Sequence, residues 1–396
     1  MKSDFIFSSE SFTEGHPDKL CDQISDAIVD NFLLHDTRSR VVAECAASTS
    51  MVFIAARFES KAPIDFSNVA RQVIQDIGFT HSSFNSKTCS ILTSIKETQG
   101  DGIAKFDEKN LTDEEIDKIK SKSQATVFGF ACNQTPGLIP LPIWIAHKLA
   151  KRLDYVRHKK ILSYLSPDAK THVEVEFING LPKRIGSITI ITSQNVKDEP
   201  SINKLRGDVT ETVIKEAFSD EPLKFDDKTT IFINPEGPVI IGGPSLHSGV
   251  TGRKGAADTY GEYSRNSSSA LSGKDPLRLH RLSAYAARYA AKNVVAAKLA
   301  DECEVHLHYS IGHSNPRSIQ VQTFGTGCIE DTKIADRLKN CFDFRIGNII
   351  KKFNLNQMPA KNHGAFYRKI SVYGHMGRTD ISAPWEETDL ISALNK

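Results

Sequence analysis

The sequence predicts an α+β protein whose sheets are covered by helices on one face. Two observations predict it. Short apolar strands come in pairs, each pair close to a segment with helical periodicity, and this alternation recurs about three times along 396 residues. There is no residue-level repeat, so the threefold organisation rests on element order. A chain of this length builds two or three domains with a substantial core.

The elements follow in order. Phe5-Ile6-Phe7 reads as a short strand, followed by a loop through Glu14-Gly15-His16. Pro17 suits the first turn of a helix, and Leu20, Ile24, Ala27, Ile28 and Phe32 then recur on one face. Val41–Ala47 and Met51–Phe58 read as paired strands joined by Ser48-Thr49-Ser50, and Asn68–Ile77 as a second helix. Lys96–Lys122 is rich in charge and contains Gly100-Asp101-Gly102. It reads as a mobile loop with a short helix near Asp113–Ile119, marking a domain boundary. A middle portion holds a helix over Ile143–Arg157, strands over Thr171–Ile178 and Ser187–Thr192, and a helix over Ile202–Phe218. Thr230–Asn234 opens the last portion as a strand. An Ala-rich helix over Ala284–Ala300 and strands over Val305–Ile311 and Ser318–Thr323 follow.

Composition narrows the function. With 39% hydrophobic and 25% charged residues the chain is an ordinary globular protein, and a net charge of +2 argues against nucleic acid or an anionic membrane as partner. The seven cysteines form no CxxC pair, which fits reduced thiols in a cytoplasmic setting. The N-terminus carries no signal-peptide pattern. The uncharged run Ala125–Ala146 is of membrane length, but Pro136, Pro140, Pro142, Asn133 and Gln134 make it a buried, turn-broken segment.

Two distant segments carry the chemistry. Glu14-Gly15-His16-Pro17-Asp18-Lys19 sits at a strand-to-helix junction, where free N–H groups favour an anion. His16 can donate to a phosphate oxygen, Asp18 can hold Mg²⁺ and Lys19 can add charge; equally, His16 and Asp18 can simply cap the helix. The second segment holds Gly252-Arg253-Lys254 and Ser272-Gly273-Lys274-Asp275 and lacks a Walker A pattern. Cations and a carboxylate beside turns suit a polyphosphate with its metal.

These segments make the chain recognisable. It resembles the S-adenosylmethionine synthetases (methionine adenosyltransferases) over nearly its whole length. The resemblance rests on Glu14–Lys19 followed by Asp22-Gln23-Ile24-Ser25-Asp26-Ala27, on Phe232-Ile233-Asn234-Pro235 and on Ile241-Gly242-Gly243-Pro244. It extends through Thr251–Lys254, Asp258-Thr259-Tyr260-Gly261, Ser272–Asp275 and Ala284-Tyr285-Ala286-Ala287-Arg288. The resemblance implies three similar domains, set here at 1–101, 118–235 and 236–396 with segments free to interchange. It also implies a homodimer or higher oligomer with sites at the subunit interface. The implied reaction is attack of the methionine sulfur on C5′ of ATP, with the triphosphate expelled and hydrolysed, assisted by Mg²⁺ and K⁺. His16, Lys170, Arg253, Lys254 and Lys274 would grip the triphosphate, Arg278 would add to ATP binding and Phe232 would stack near the adenine. Asp18 would hold Mg²⁺ and Glu44 would hold K⁺.

The chain also departs from the family pattern. The Gly-Asp-Gln-Gly stretch is here Ser123-Gln124-Ala125-Thr126, and Gly-Asp-x-Gly is Leu246-His247-Ser248-Gly249. Lys-x-Asp-Arg is Arg278-Leu279-His280-Arg281, which puts His280 where a metal carboxylate stands. An ungapped reading puts Arg57 and Glu97 where a glutamate and a glutamine face methionine, with Glu59 two residues along to supply acid. The expected acceptor site is therefore Arg57, Glu59, Glu97, Ser123 and His247, and the metal set is Asp18, Glu44 and His280. An acid replaced by a cation costs an ammonium ligand roughly 1–4 kcal/mol. Methionine is the default acceptor; a more anionic acceptor, or a catalytically weak partner subunit of an active synthetase, are the alternatives.

Overall fold

Residues 4–98, 110–195 and 200–396 are described by the structure, a computed structural model. Gly100-Asp101-Gly102 and the rest of residues 99–109, within the loop read over Lys96–Lys122, lie outside the described residues. In chain order the elements are β1 (Phe5–Phe12), α1 (Pro17–His35), β2 (Arg40–Ser48), β3 (Met51–Glu59), α2 (Phe66–Ile77), β4 (Thr80–His81), β5 (Phe84–Asn85), β6 (Ser90–Glu97), α3 (Asp113–Lys118), β7 (Ala125–Cys132), α4 (Leu141–His158), β8 (Leu165–Ile178) and β9 (Leu181–Gln194). They continue with α5 (Ile202–Val209), α6 (Lys215–Ala217), β10 (Thr230–Ile233), β11 (Gly249–Val250), α7 (Leu279–Ala296), β12 (Glu302–Tyr309), β13 (Ser318–Gln322), α8 (Asp331–Cys341), α9 (Ile346–Phe353), α10 (Met358–Lys361), α11 (Phe366–Ile370) and α12 (Ile391–Leu394).

Among the described residues three sheets of three or four strands form, each from segments distant in sequence, beside the two-stranded β4–β5 hairpin. The first has order β1-β8-β9-β10, the second β11-β2-β3-β6 and the third β13-β12-β7. The opening strand is longer than Phe5–Phe7 because β8 pairs with it over its whole length, from Phe5 opposite Phe177 to Phe12 opposite Lys170. Thr230–Ile233 does not open a new sheet. After the α5–α6 crossover it lies parallel to β9, Phe232 opposite Thr189, and completes the first sheet. A single π-helical turn, Thr210–Ile214, joins α5 to α6 within the helix read over Ile202–Phe218.

Each sheet buries one face. On the second, Val41, Ala43, Cys45 and Ala47 point inward beneath α1, whose Leu20, Ile24, Ala27, Ile28 and Phe32 are all buried. On the first, Ile145, Leu149 and Val156 of α4 pack over Val173, Val175, Ile188 and Ile190. On the third, α7 lies against β7 so closely that a Cβ on Gly129 would meet the Ala287 carbonyl carbon at 2.0 Å. That backbone contact explains the Ala-rich helix, which runs over Leu279–Ala296, short of the expected Ala300. It stops before Lys298, which takes a positive φ of 59°. The uncharged run Ala125–Ala146 divides into β7, a turn and the start of α4. Among the described residues no helix is long and apolar enough to cross a membrane.

Candidate active site

The turn before α1 is built against a second turn some 150 residues away. The N–H of Gly15 donates to the Pro167 carbonyl (3.2 Å), and the Thr13 hydroxyl donates to the same oxygen at 2.7 Å. A Cβ on Gly15 would fall 2.4 Å from the Pro167 carbonyl carbon, so only glycine allows this approach. The packing brings Asp168 and Lys170 beside His16.

His16 is the N-cap of α1, its Nδ1 accepting the Asp18 N–H at 3.2 Å. The capping reading is therefore realised, and it fixes the tautomer: Nε2 carries the proton and is a donor. Burial, with His247 and Lys254 close by, pushes the His16 imidazole down to about 2, so it stays neutral. Its ring packs on Phe12 (4.4 Å between centroids) and on His247 (5.0 Å).

Cations gather around this histidine. Glu10 holds Lys170 at 2.8 Å and Lys254 at 3.4 Å, and the Lys254 ammonium lies 4.3 Å above the Phe12 ring. Burial opposes the Glu10 charge, but the two lysines outweigh it and hold the carboxyl below its ordinary range. Arg253 approaches Asp18 at 3.4 Å with half its side chain exposed, and Asp18 also accepts the Val250 N–H at 2.9 Å. His247 donates to Asp168 at 3.3 Å, which raises its imidazole above the ordinary histidine value. Asp168 in turn accepts the Gly243 N–H at 2.7 Å.

Lys19 does not join them. It turns into the core, 2% exposed, between Asp22 (2.7 Å) and Asp258 (2.5 Å). Burial pushes both carboxyls up, while the two acids drive the ammonium up. Its place on the first turn of α1 faces inward, so the expected contribution to an anion is not made.

Lys274, Glu44, Arg278 and His280 form a second cluster. Ser272–Asp275 runs along β2, with Gly273 accepting the Ala43 N–H at 2.7 Å and Asp275 accepting the Val41 N–H at 3.0 Å. Gly273 has a φ of +77°, and a Cβ there would meet the Ala43 oxygen at 2.0 Å. Lys274 donates to the Ala270 carbonyl at 2.5 Å; burial lowers its ammonium although Glu44 opposes this. Arg278 pairs with Asp275 at 3.1 Å. His280 is held down by burial and by Lys274, and its Nδ1 is buried without a hydrogen-bond partner. Gly273 is tied to Asp26, ten residues beyond His16 on α1, or about 15 Å of helix. Among the described residues no ion pair joins the two clusters.

The remaining candidates stand apart. Arg57 is opposite Val42 and Lys96 on the open face of the second sheet, Glu59 shares its face opposite Arg40, and Glu97 lies opposite Phe58 on the other face. Ser123 precedes β7 in the third sheet and donates its N–H to the Ser121 hydroxyl at 3.3 Å. Phe232 is exposed on the open face of the first sheet, in one row with Thr189, His172 and Glu10. Sequence reasoning missed the roles of Glu10 and Asp168. Only the β1–β8 register and the packed turns reveal that they hold the cations.

A three-sheet α+β chain with two cation clusters, one set at a helix N-terminus, defines a protein built to hold a polyanion. Comparison with known proteins gives the family. The chain matches the models for the N-terminal domain (residues 4–100), central domain (118–239) and C-terminal domain (241–387) of S-adenosylmethionine synthetase. It is 44% identical to the S-adenosylmethionine synthase of Trichormus variabilis, over all of this chain and 97% of that protein. It is 42% identical to that of Crocosphaera subtropica, over all of this chain and 98% of that protein. The chain belongs to the S-adenosylmethionine synthetase family.

Proposed function

We propose that this chain is an ATP-dependent adenosyltransferase that makes S-adenosylmethionine from ATP, L-methionine and water, the water cleaving the expelled triphosphate to phosphate and diphosphate. The observation that carries the reading is full-length identity to synthases together with the cluster of His16, Lys170, Arg253 and Lys254. That identity does not favour the readings of a different acceptor or of a partner subunit. A neutral thioether attacks C5′, the S–C5′ bond forms and the C5′–O bond breaks, and the electron pair leaves with the triphosphate. No general base is required; the developing charge on the leaving group is what needs stabilising. His16 Nε2–H is a fixed donor for it, and Lys170 and Lys254 can exchange Glu10 for phosphate oxygens. Arg278 is available to ATP and Phe232 to the adenine. His247, Ser123, Arg57, Glu59 and Glu97 are the groups we assign to the acceptor.

A divalent cation, taken as Mg²⁺, fits Asp18. One oxygen of that carboxylate serves Val250 and Arg253, leaving the other for a metal that shares phosphate ligands. Bound there, it would neutralise triphosphate charge. The unpartnered Nδ1 of His280 is a donor for a second divalent ion, and the exposed Glu44 carboxylate suits K⁺.

The reading includes a homodimer. Met51, Phe53, Leu92 and Val250 are exposed on the same open sheet face as Glu44, an apolar surface that a second copy would cover. Pairing one copy's His16 cluster with the partner's Lys274 cluster would complete the site across that surface. The test is mass-spectrometric detection of S-adenosylmethionine from ATP and methionine. Lys254→Ala and Lys274→Ala should each be inactive alone, and a refolded mixture should recover part of the activity. A wild-type protein that binds ATP but forms no product would overturn the reading.

A further inference from the structure

The His16 turn is braced from behind as well as from the Pro167 side. The Glu14 N–H, two residues before His16, donates to Asp154 Oδ2 at 2.9 Å, and Gln23 donates to the Glu14 carbonyl at 2.8 Å. Asp154 belongs to α4 and is 3% exposed. The same oxygen accepts the Tyr373 hydroxyl at 2.7 Å, while Oδ1 accepts Arg157 at 2.8 Å. Arg157 also donates to the Ile77 carbonyl at the end of α2 (2.6 Å) and to the Glu14 carboxylate (3.3 Å). That carboxylate meets His158 at 2.9 Å. One buried acid thus ties the turn to α4, to α2 and to the C-terminal segment.

Two features set this clamp apart from ordinary packing. Tyr373 takes a φ of 61°, a left-handed conformation that a bulky residue holds only where its surroundings impose it, and its hydroxyl is engaged by Asp154. Beside Glu14 lies a cavity of about 570 Å³, bordered also by His158, Arg368, Tyr373 and Arg378. The cavity leaves room for the turn to retreat from Pro167, so hydrogen bonds and charges hold it there, not a packed wall. Gly15 alone stands between the held N–H and His16. We propose, on the synthase reading above, that Asp154 is a positioning residue: with Arg157 and Tyr373 it sets the Glu14–His16 turn so that His16 Nε2–H points at the departing triphosphate. A buried ion pair adds little net stability over an apolar core of the same volume, and what this one supplies is geometry. A donor misplaced by about 1 Å can lower a rate roughly 100-fold.

The test measures kcat and KM for ATP in the full chain and follows the His16 ring by nitrogen NMR. Asp154→Asn keeps the shape but removes the anion that Arg157 faces. It should lower kcat about tenfold or more, with KM for ATP within about threefold. Tyr373→Phe removes one hydroxyl, is safer for folding and should lower kcat about threefold. In a His16→Ala background each change should cost less than about twofold further, because a residue that acts through His16 then has nothing left to position. The single Nε2–H tautomer of wild-type His16 should become a mixture in both variants, since the N-cap bond that fixes it depends on the turn. Undiminished losses in the His16→Ala background would mean a merely structural role and overturn the proposal. So would an unchanged tautomer, or a wild-type kcat in a folded Asp154→Asn. If Asp154→Asn does not fold, Tyr373→Phe in the two backgrounds decides alone. If wild type makes no S-adenosylmethionine while the His16 tautomer still responds to Tyr373→Phe, the proposed function fails and the clamp stands.

Discussion

Lys19 and Lys254 both stand in motifs that read as phosphate grips, yet the fold gives them opposite environments. Lys19 is one cation between two carboxylates, all three sealed from water. Lys254 and Lys170 are two cations sharing one carboxylate, Glu10, on a half-open face. The first group is closed electrostatically and has no charge to spare. The second carries excess positive charge and partners it can exchange. Motif membership does not separate structural from ligand-directed lysines; the local ratio of acid to base and access to water do.

The largest expected break in this comparison is at Lys19. Lys19→Met leaves Asp22 and Asp258 buried without their counter-ion, and removing one partner of such a group costs about 3–5 kcal/mol. Urea denaturation should show a loss of that size. A loss under about 1 kcal/mol would mean that the acids simply take up protons.

Lys254→Ala should act the other way round. Its ion pair is partly exposed, so folding stability should change by at most about 1 kcal/mol. Affinity for magnesium triphosphate should fall by about 1.5–3 kcal/mol, the worth of a charge-assisted contact. Calorimetry and urea denaturation on the same variant separate the two effects. Equal losses in both would put Lys254 in the same structural class as Lys19.

This contrast was only partly legible in the sequence. Helix α1 could be read because Pro17 and a 3.6-residue apolar period are local signals. Strand β6 went unread because Ser90–Glu97 is exposed along nearly its whole length and shows no clean alternation. Strand β7 was hidden at the start of the long uncharged run Ala125–Ala146. Thr230–Ile233 was placed in the wrong portion because a parallel partner reached through a crossover helix leaves no mark in the strand itself. The cations of the site were visible as motifs. Their carboxylates were not: Glu10 meets Lys170 only through the β1–β8 register, and Lys19 turns inward only because Asp258, 239 residues on, lies over it.

Glu10→Gln sharpens the comparison from the acid side. If Glu10 competes with phosphate for Lys170 and Lys254, neutralising it should raise triphosphate affinity several-fold, about 1 kcal/mol, at low salt. The gain should shrink as ionic strength rises. An affinity that drops would show that Glu10 positions the lysines and does not compete for them.

The smallest effect concerns His247. The groups facing it are Asp168 and Asp18, which favour its charged form, and Lys254, which opposes it; neutral His16 packs on its ring. The Asp168 hydrogen bond leads, so the folded imidazole titrates above an unfolded histidine. A raised folded value means that the folded state binds the proton more tightly. The contribution to stability is therefore complete below about pH 6.5 and is lost as pH rises through the folded value. Because the ring is two-fifths exposed, the change in stability should be slight. The sensitive readout is the titration of the His247 ring signal by NMR. Its midpoint should lie above 6.5 in the wild type and fall in Asp168→Asn, which removes the anion and keeps a side chain of the same shape. In the same variant the Gly243 N–H still has an acceptor, so the turn should hold. A midpoint that does not move would show that Asp168 serves the turn alone. His247 would then reach a triphosphate or an acceptor as a neutral donor, in the same state as His16 beside it.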